Sequence, residues 1–419
     1  MKYNNNALTF PLTFFLTNMP KHSKTWVDDT TLTVMTYKSG SFTFQLGFDL
    51  DDIQGMLYRV NDSQNRFNKT PSLPLIIDQV QEKVLASSIY STNTIEGGHF
   101  TEKETAKILK QDPKTIQKSE ERRLTNLKES IDWIKKHSSR QLLPNRGEEF
   151  ELATMFKLHT LVSQNLTEQH NPAGQLRNNQ PTQKTIVGDN SHGGTYRPPK
   201  CIEDIEYLIQ AWAEWLNSPK IINQPVIVRA CLAHYYFELI HPFWDGNGRT
   251  GRLIEMFILE QSGYRFSSSA IWKYYQTNIH EYFALFNECR KQAEKKIENP
   301  NQPFIAFVLQ GMFETIEYLH DESNRLIGFL LYQTALNNAK FSKHISDRQF
   351  NLIQNLMMVV GENQKNFSKA DLYRTPQIQS LFIGKTERTF YRDIDKLIEL
   401  QFLSDRHGLI YIGDESSDV

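Results

Sequence analysis

Cysteine is scarce in this chain: three in 419 residues, Cys201, Cys231 and Cys289, each in an apolar stretch and with no C-x-x-C pair. That argues against a disulfide framework or a cysteine-built metal site and for buried thiols in a reducing compartment. Net charge is also missing. Lysine and arginine total 47 against 48 aspartates and glutamates, so the chain as a whole has no special attraction to nucleic acid or an anionic membrane. The apolar run near the start, residues 7–16, is too short to cross a bilayer, is broken by Pro11, and is followed by Thr17, Asn18, Met19, Pro20 and Lys21 rather than a small-residue cleavage site. The expectation is a cytoplasmic, non-secreted protein with no membrane association. The remaining composition, 39% hydrophobic and 23% charged, is ordinary for a globular protein of roughly two to four domains.

Against that background residues 241–252, H-P-F-W-D-G-N-G-R-T-G-R, stand out. The apolar stretch at 226–240 reads as a buried helix, and 253–260 resumes the same character, so a short polar loop sits between two core helices. Pro242 disfavours helix at His241 and should end the first helix there. Gly246 and Gly248 let the backbone turn and approach a ligand closely. Arg249 and Arg252 fall three apart at the start of the second helix, where the macrodipole already disfavours cations; an anion resolves the conflict. Helix N-termini after glycine turns bind phosphate, and two guanidiniums suit a polyphosphate. Asp245 has the wrong sign to touch phosphate and fits through a bridging Mg²⁺. His241 can take a proton from an attacking hydroxyl near neutral pH. Gly246, Gly248 and Gly251 also spell G-x-G-x-x-G, but that fingerprint requires a preceding strand and an acid about 20 residues on. Here a helix-like run precedes it, and residues 265–275 hold no acid. A capped turn between core helices explains the glycines but not His, Asp and two Arg together.

Residues 241–252 fill every fixed position of H-P-F-x-[DE]-G-N-G-R-x-x-R and so resemble the Fic domain family, with the resemblance extending over roughly residues 75–300. It implies transfer of AMP from ATP to a protein hydroxyl. By position, His241 is then the general base and Asp245 the Mg²⁺ ligand. The amides and side chains of Gly246, Asn247 and Gly248 hold the α- and β-phosphates, Arg249 and Arg252 bind the β and γ groups, and Phe243 anchors the loop in the core. Thr92, Glu96 and Gly97 resemble the family's inhibitory motif, [ST]-x-x-x-E-[GN]. This implies a bidentate pair between Glu96 and Arg252 that occupies the γ-phosphate position. Residues 185–188, Thr185, Ile186, Val187 and Gly188, correspond to the flap, a hairpin that holds a target segment by strand addition. Tyr282 to Leu285 are similar to a Tyr-Tyr-x-Ala-Leu stretch near the nucleotide, with Phe283 replacing the second Tyr and one residue fewer before Ala-Leu; adenine packing on Tyr282 follows from that likeness.

The fold expected is mainly α: a Fic-type helical domain with a β-hairpin flap, a small N-terminal β-hairpin region and a C-terminal winged helix domain. The segments are 1–70 with a hairpin over 30–59, 71–300 as the Fic domain with its inhibitory helix, 301–340 as one or two connecting helices, and 341–419 as the winged helix. Residues 68–74 read as a linker, 75–91, 120–137, 150–166, 202–216 and 278–291 as helices, and the charge run 118–123 as solvated helix face. His159 reads as a structural residue. In the last segment, helices at 348–360, 369–373 and 387–400 precede a hairpin at 403–412, the order of a winged helix-turn-helix. Arg388 and Arg392 lie one turn apart on its recognition helix. Residues 340–419 carry no net charge, which weakens a DNA reading and favours a protein or dimer contact.

Two functions follow. The first is a Mg²⁺-dependent protein adenylyltransferase acting on a Ser, Thr or Tyr hydroxyl of a target protein, or on itself, and silenced by Glu96. The alternative is a nucleotide-sensing, DNA-binding transcription regulator with little turnover. The intact His241 favours the enzyme, because phosphate binding alone needs no base. The partners left open are the target protein, a homodimer, and DNA or a protein on the C-terminal segment.

Overall fold

The computed structural model describes residues 22–70, 74–138, 149–166, 171–180, 182–363 and 366–413. The apolar run at 7–16 lies outside the described residues, as does the middle of the expected linker. The chain divides into two compact units, Met1–His320 and Asp321–Val419.

The first unit opens with three antiparallel strands, β1 (Ser23–Asp28), β2 (Thr31–Met35) and β3 (Ser41–Phe44), in the order β1-β2-β3. Leu32, Val34 and Phe44 alternate onto the buried face, as a two-residue period requires. The expected hairpin over 30–59 is thus corrected at both ends: a strand is added before it, and from residue 50 the chain is helical. Helix α1 (Leu50–Lys69) starts at Asp49, whose side chain accepts the Asp51 amide, and buries Ile53, Leu57 and Val60. It also absorbs Asn68 and Lys69 from the expected linker.

Helices α2 (Pro74–Ile95), α3 (Glu102–Ile108), α4 (Ser119–Ser138) and α5 (Leu152–Ser163) follow. A two-stranded hairpin, β4 (Val187–Asp189) and β5 (Gly194–Tyr196), precedes α6 (Ile202–Leu216) and the short α7 (Pro219–Ile222). The centre is α8 (Val226–Ile240) against α9 (Asn247–Gln261). α8 is buried nearly all round, as its sequence demands, so the six residues joining it to α9 sit against the core rather than on a free surface. α10 (Ser267–Thr277), which buries Trp272 and Tyr275, has no counterpart in the sequence reading, because its opening Ser-Ser-Ser hides the helical period. α11 (Ile279–Glu294) packs beside the hairpin, and α12 (Gln302–Phe341) is one 40-residue helix.

The second unit contains α13 (Asp347–Asn363), β6 (Phe367–Ser368), α14 (Lys369–Tyr373), α15 (Pro376–Gln379), α16 (Glu387–Glu399), β7 (Leu403–Arg406) and β8 (Leu409–Ile412). Its strands pair antiparallel in the order β6-β8-β7, and the β7–β8 turn places His407 and Gly408 at positive φ. Leu352, Leu356, Phe390, Ile394, Leu397 and Ile410 belong to its separate core. Asp393, buried in α16, is held by Arg348 at 2.6 Å and Gln349 at 3.0 Å.

Candidate functional site

α8 ends on His241, which closes the helix in the left-handed region at φ 50° with its amide on the Phe237 carbonyl at 2.9 Å. A non-glycine residue there is strained, and the neighbourhood must hold it. Arg177 does so. Its guanidinium, 0% exposed, donates from Nε to the His241 carbonyl at 2.6 Å and from Nη2 to the Ile240 and Pro199 carbonyls, while its own amide bonds the Pro242 carbonyl at 2.9 Å. A cation against the last carbonyls of a helix is favoured by the macrodipole.

The loop then turns into α9. Gly246, the N-cap at φ 80°, contributes no side chain to the first amides of the helix, so they remain donors for an anion. Asn247 and Phe243 form a reciprocal pair: the Phe243 amide donates to Asn247 Oδ1 and Asn247 Nδ2 to the Phe243 carbonyl, each at 2.9 Å. Phe243 is buried with its ring stacked on His159, 3.6 Å between centroids. His159 Nδ1 accepts the Gly174 amide at 3.0 Å, which leaves the proton on Nε2 to bond the Asp245 carbonyl, also at 3.0 Å. Burial lowers its pKa to about 4, so this ring is a neutral strut.

Asp245 takes both oxygens to Arg249 Nη2, at 3.2 and 3.1 Å, with the Gly246 amide at 2.7 Å and Arg123 Nη2 at 3.9 Å. Burial alone would raise its pKa; Arg249, the Gly246 amide and Arg123 outweigh that and lower it. Among the described residues no three His, Cys, Asp or Glu side chains converge on a metal position. A single carboxylate, about a third exposed, suits Mg²⁺ carried on phosphate oxygens rather than a protein cage.

Arg252, 1% exposed, points elsewhere. Its Nε donates to Thr92 Oγ1 at 2.8 Å, Nη2 to Glu96 Oε1 at 2.6 Å and Nη1 to the Tyr282 hydroxyl at 3.2 Å. Behind it runs a buried polar chain: Tyr282 Oη to His234 Nε2 at 3.2 Å, His234 Nδ1 to Glu255 Oε2 at 3.0 Å, and Tyr275 donating to Glu255 Oε1 at 2.7 Å. Burial would lower the Arg252 pKa, but Tyr282 and Glu96 raise it, so the guanidinium stays charged. Glu96 reaches this position because α2 continues through Thr92 to Ile95 before Gly97 turns the chain at φ 81°. A Cβ on Gly248 would collide with the Glu96 carboxylate, which therefore lies directly over the start of α9.

A cavity of about 320 Å³ joins these parts, with Glu96, Gly248, Arg252, His241 and Glu238 on one side and Val187, Gly188 and Asp189 of β4 on the other. The hairpin is tied to α11: Asn287 Nδ2 donates to the Gly194 and His192 carbonyls at 2.7 and 3.2 Å, and Lys291 Nζ to the Gly193 carbonyl at 2.5 Å. β4 keeps its other edge unpaired among the described residues.

Several expectations need correction. Arg249 and Arg252 do not share a target: one grips Asp245, the other Thr92, Glu96 and Tyr282. The Asn247 side chain is fully engaged with Phe243, so only backbone amides there can meet phosphate. The Glu96–Arg252 contact is one charge-assisted bond rather than a bidentate pair, because Nε is taken by Thr92. Tyr282, 1% exposed and stacked on Tyr275 at 4.8 Å, offers a hydroxyl to Arg252 and no open face to adenine. Val187 and Gly188 line the cavity, whereas Ile186 is 56% exposed and Thr185 accepts a bond from Asn179. Arg123, read as solvated surface, faces Asp245. Arg177, Glu238, His234 and Glu255 are not singled out by the sequence reading; for the last three the one sequence signal is a charged or polar residue inside an otherwise apolar run, and Arg177 carries none.

Residues 149–259 match the model of the Fic/DOC family. Among curated proteins, the chain is similar to Protein adenylyltransferase Fic of Nematostella vectensis, 27% identical over 269 residues covering 63% of this chain and 55% of that one. It is also similar to Protein adenylyltransferase fic-1 of Caenorhabditis elegans, 28% identical over 209 residues, 50% of this chain and 38% of that one. The chain thus spans about half the length of these relatives or less. Two solved structures share the fold: Fic-1 from C. elegans, with TM-score 0.50 and 20% identity over 65% of this chain and 73% of that one, and a Fic domain containing signaling protein from Bacteroides thetaiotaomicron, with TM-score 0.51 and 19% identity over 64% and 97%. The family match holds β4 and the 241–252 loop; Glu96 lies ahead of it and Tyr282 beyond it.

Proposed function

Starting from a chain whose residues 149–259 carry a Fic/DOC-family segment, we propose that it is a protein adenylyltransferase held inactive by its own α2. The observation that carries the reading is Glu96 seated on Arg252 above the uncapped start of α9. The choice of AMP as the transferred group rests on the similarity to proteins named adenylyltransferases. A target segment pairs with the free edge of β4 and presents a hydroxyl to His241. The hydroxyl proton passes to the imidazole as the oxygen bonds to the α-phosphorus; the bond from that phosphorus to the bridging oxygen breaks, and pyrophosphate leaves. The amides opening α9 hold the phosphates, and Arg252 receives the γ-phosphate once Glu96 withdraws. Mg²⁺ on the phosphates would be held by Asp245 and would neutralise charge on the leaving group. For that, Asp245 must give up part of its contact with Arg249.

The test is labelling of a lysate or a fixed acceptor with α-labelled ATP. The wild type labels slowly, and Glu96→Gly labels at least ~10²-fold faster, because a nucleotide misplaced by about 1 Å loses that much rate. His241→Ala in the Glu96→Gly chain removes the gain, general-base loss being typically about 10²–10⁴ in rate. If Glu96→Gly labels no faster than wild type, the inhibitory role of α2 is wrong.

We also propose that the second unit is a winged helix that binds duplex DNA. The support is α16, where Arg388, Arg392 and Lys396 repeat every four residues on the exposed side with no carboxylate within 4 Å among the described residues. Arg392 and Lys396 also line a groove of about 970 Å³ with Lys343, where Lys340 and Arg348 are paired with Asp347 and Asp393.

A further inference from the structure

Glu238 is the one acid on α8, and nothing in the reading above uses it. Its side chain is 13% exposed and lines the same cavity as His241. Among the described residues Oε1 is buried with no hydrogen-bond partner, and so is Nδ1 of His241. The two groups face each other: Glu238 Oε2 lies 3.6 Å from His241 Nδ1, just beyond bonding range. A buried carboxylate with no partner is costly, and proteins keep such groups mainly where they act. His241 closes α8 at φ 50°, three positions after Glu238, so the ring and the carboxylate neighbour each other at the end of the helix.

Gly251 makes room for it. A Cβ there would fall 2.8 Å from Glu238 Oε1 and 2.6 Å from His234 Cδ2, so α8 and α9 approach closely enough to seat this carboxylate only because position 251 is glycine. That accounts for the third glycine of residues 241–252, which no phosphate contact requires.

We infer that Glu238 is the positioning carboxylate of His241: it accepts the Nδ1 proton, fixes the tautomer that leaves Nε2 bare toward the cavity, and steadies the imidazolium formed when Nε2 takes a proton. This rests on His241 being the base in the proposed transfer. Small movement of either side chain closes the 3.6 Å gap, and the tighter bond forms as the ring gains charge. The other titratable groups around the cavity are Glu96 just past α2, Arg252 from α9, Asp189 and His192 from the hairpin, the half-buried Tyr196 and the buried Tyr282. Of His241, Arg177 reaches the carbonyl and not the ring. Among the described residues, Glu238 is the acid whose carboxylate lies within 4 Å of the His241 ring.

The experiment follows the His241 imidazole by NMR titration, its signal assigned by loss in His241→Ala, in the full chain and in Glu238→Gln. The carboxylate favours the charged ring, so in Glu238→Gln the His241 signals should change at lower pH than in wild type. In the Glu96→Gly chain the same change should lower kcat for labelling about 10-fold with the KM for ATP within about twofold, and shift the acidic limb of the rate profile to lower pH. Gly251→Ala, which pushes the carboxylate away without removing it, should move the titration in the same direction. A folded Glu238→Gln chain whose His241 titrates as in wild type overturns the proposal, whether or not labelling occurs. A shifted titration in a chain that labels nothing would leave Glu238 in place and overturn the transfer reading instead.

Discussion

Arg177 holds the base in place without touching any acid among the described residues. Its charge is shared over the carbonyls of Ile240, His241 and Pro199 and the Asn179 side chain, and burial lowers its pKa to about 10, still charged at neutral pH. Arginine suits this because a planar fork reaches three carbonyls at fixed angles, which a lysine ammonium cannot. Arg177→Met would leave those carbonyls unpaired in the interior and should destabilise the unit by about 3 kcal/mol in urea unfolding. Arg177→Lys should retain part of that and still loosen His241. Equal stability of Lys and Arg at this position would show that charge alone, rather than the fork, holds the end of α8. Nothing in the sequence flags this residue: it sits in an irregular stretch after Gly174, and the helix-end carbonyls it holds, Ile240 and His241, lie 63 and 64 residues away, so no local pattern reports them.

Elements with a strong period were legible, and those placed by a few polar contacts were not. α8, α4 and α6 follow their apolar spacing to within a residue or two of the expected ends. The loop at 241–252 was readable because Pro242 and the glycines punctuate it. The destinations of its side chains were not, since Asn247 and Arg249 turn to partners that only tertiary packing supplies. The N-terminal sheet shows the same limit, because the turn between β2 and β3 is gathered onto one acid of another element. Asp204 of α6, 0% exposed, accepts the Tyr37 and Lys38 amides at 2.7 and 2.9 Å, the Ser39 hydroxyl at 2.7 Å and His22 at 2.9 Å. Burial would raise its pKa, but the bonds from Ser39, His22 and the Lys38 amide bring it down to about 2. Its folded value lies below its ordinary 3.8, so its contribution is whole above about pH 4 and is lost as pH falls toward 2. That contribution is about 2 kcal/mol. Asp204→Asn should therefore be less stable at pH 7 and lose less stability than wild type between pH 4 and 2 in denaturant titrations. A parallel pH dependence in the two proteins would remove Asp204 as the anchor.

Over the whole molecule, charge nearly cancels, 47 basic residues against 48 acidic, yet it is unevenly placed. On α16, Asp395 is drawn to Lys369 at 2.9 Å and Asp393 is buried under Arg348, which leaves Arg388, Arg392 and Lys396 uncompensated along one line among the described residues. Successive members rise about 6 Å along the helix axis. Like charges four residues apart cost a helix a few tenths of a kcal/mol each, a cost that an anionic partner removes. Backbone phosphates are such a partner, and their binding releases counterions, so affinity must fall with salt. The expected result for the full chain and a 20-base-pair duplex, read by fluorescence anisotropy, is a linear fall of log K with log salt. Replacing Arg388, Arg392 or Lys396 by Ala should weaken binding for every sequence alike and reduce the slope by about one each. His241→Ala should leave this binding unchanged. If the triple Ala variant binds the duplex as tightly as wild type, with the same slope, the cation line serves something other than DNA, and the neutral overall charge of residues 340–419 was the better guide.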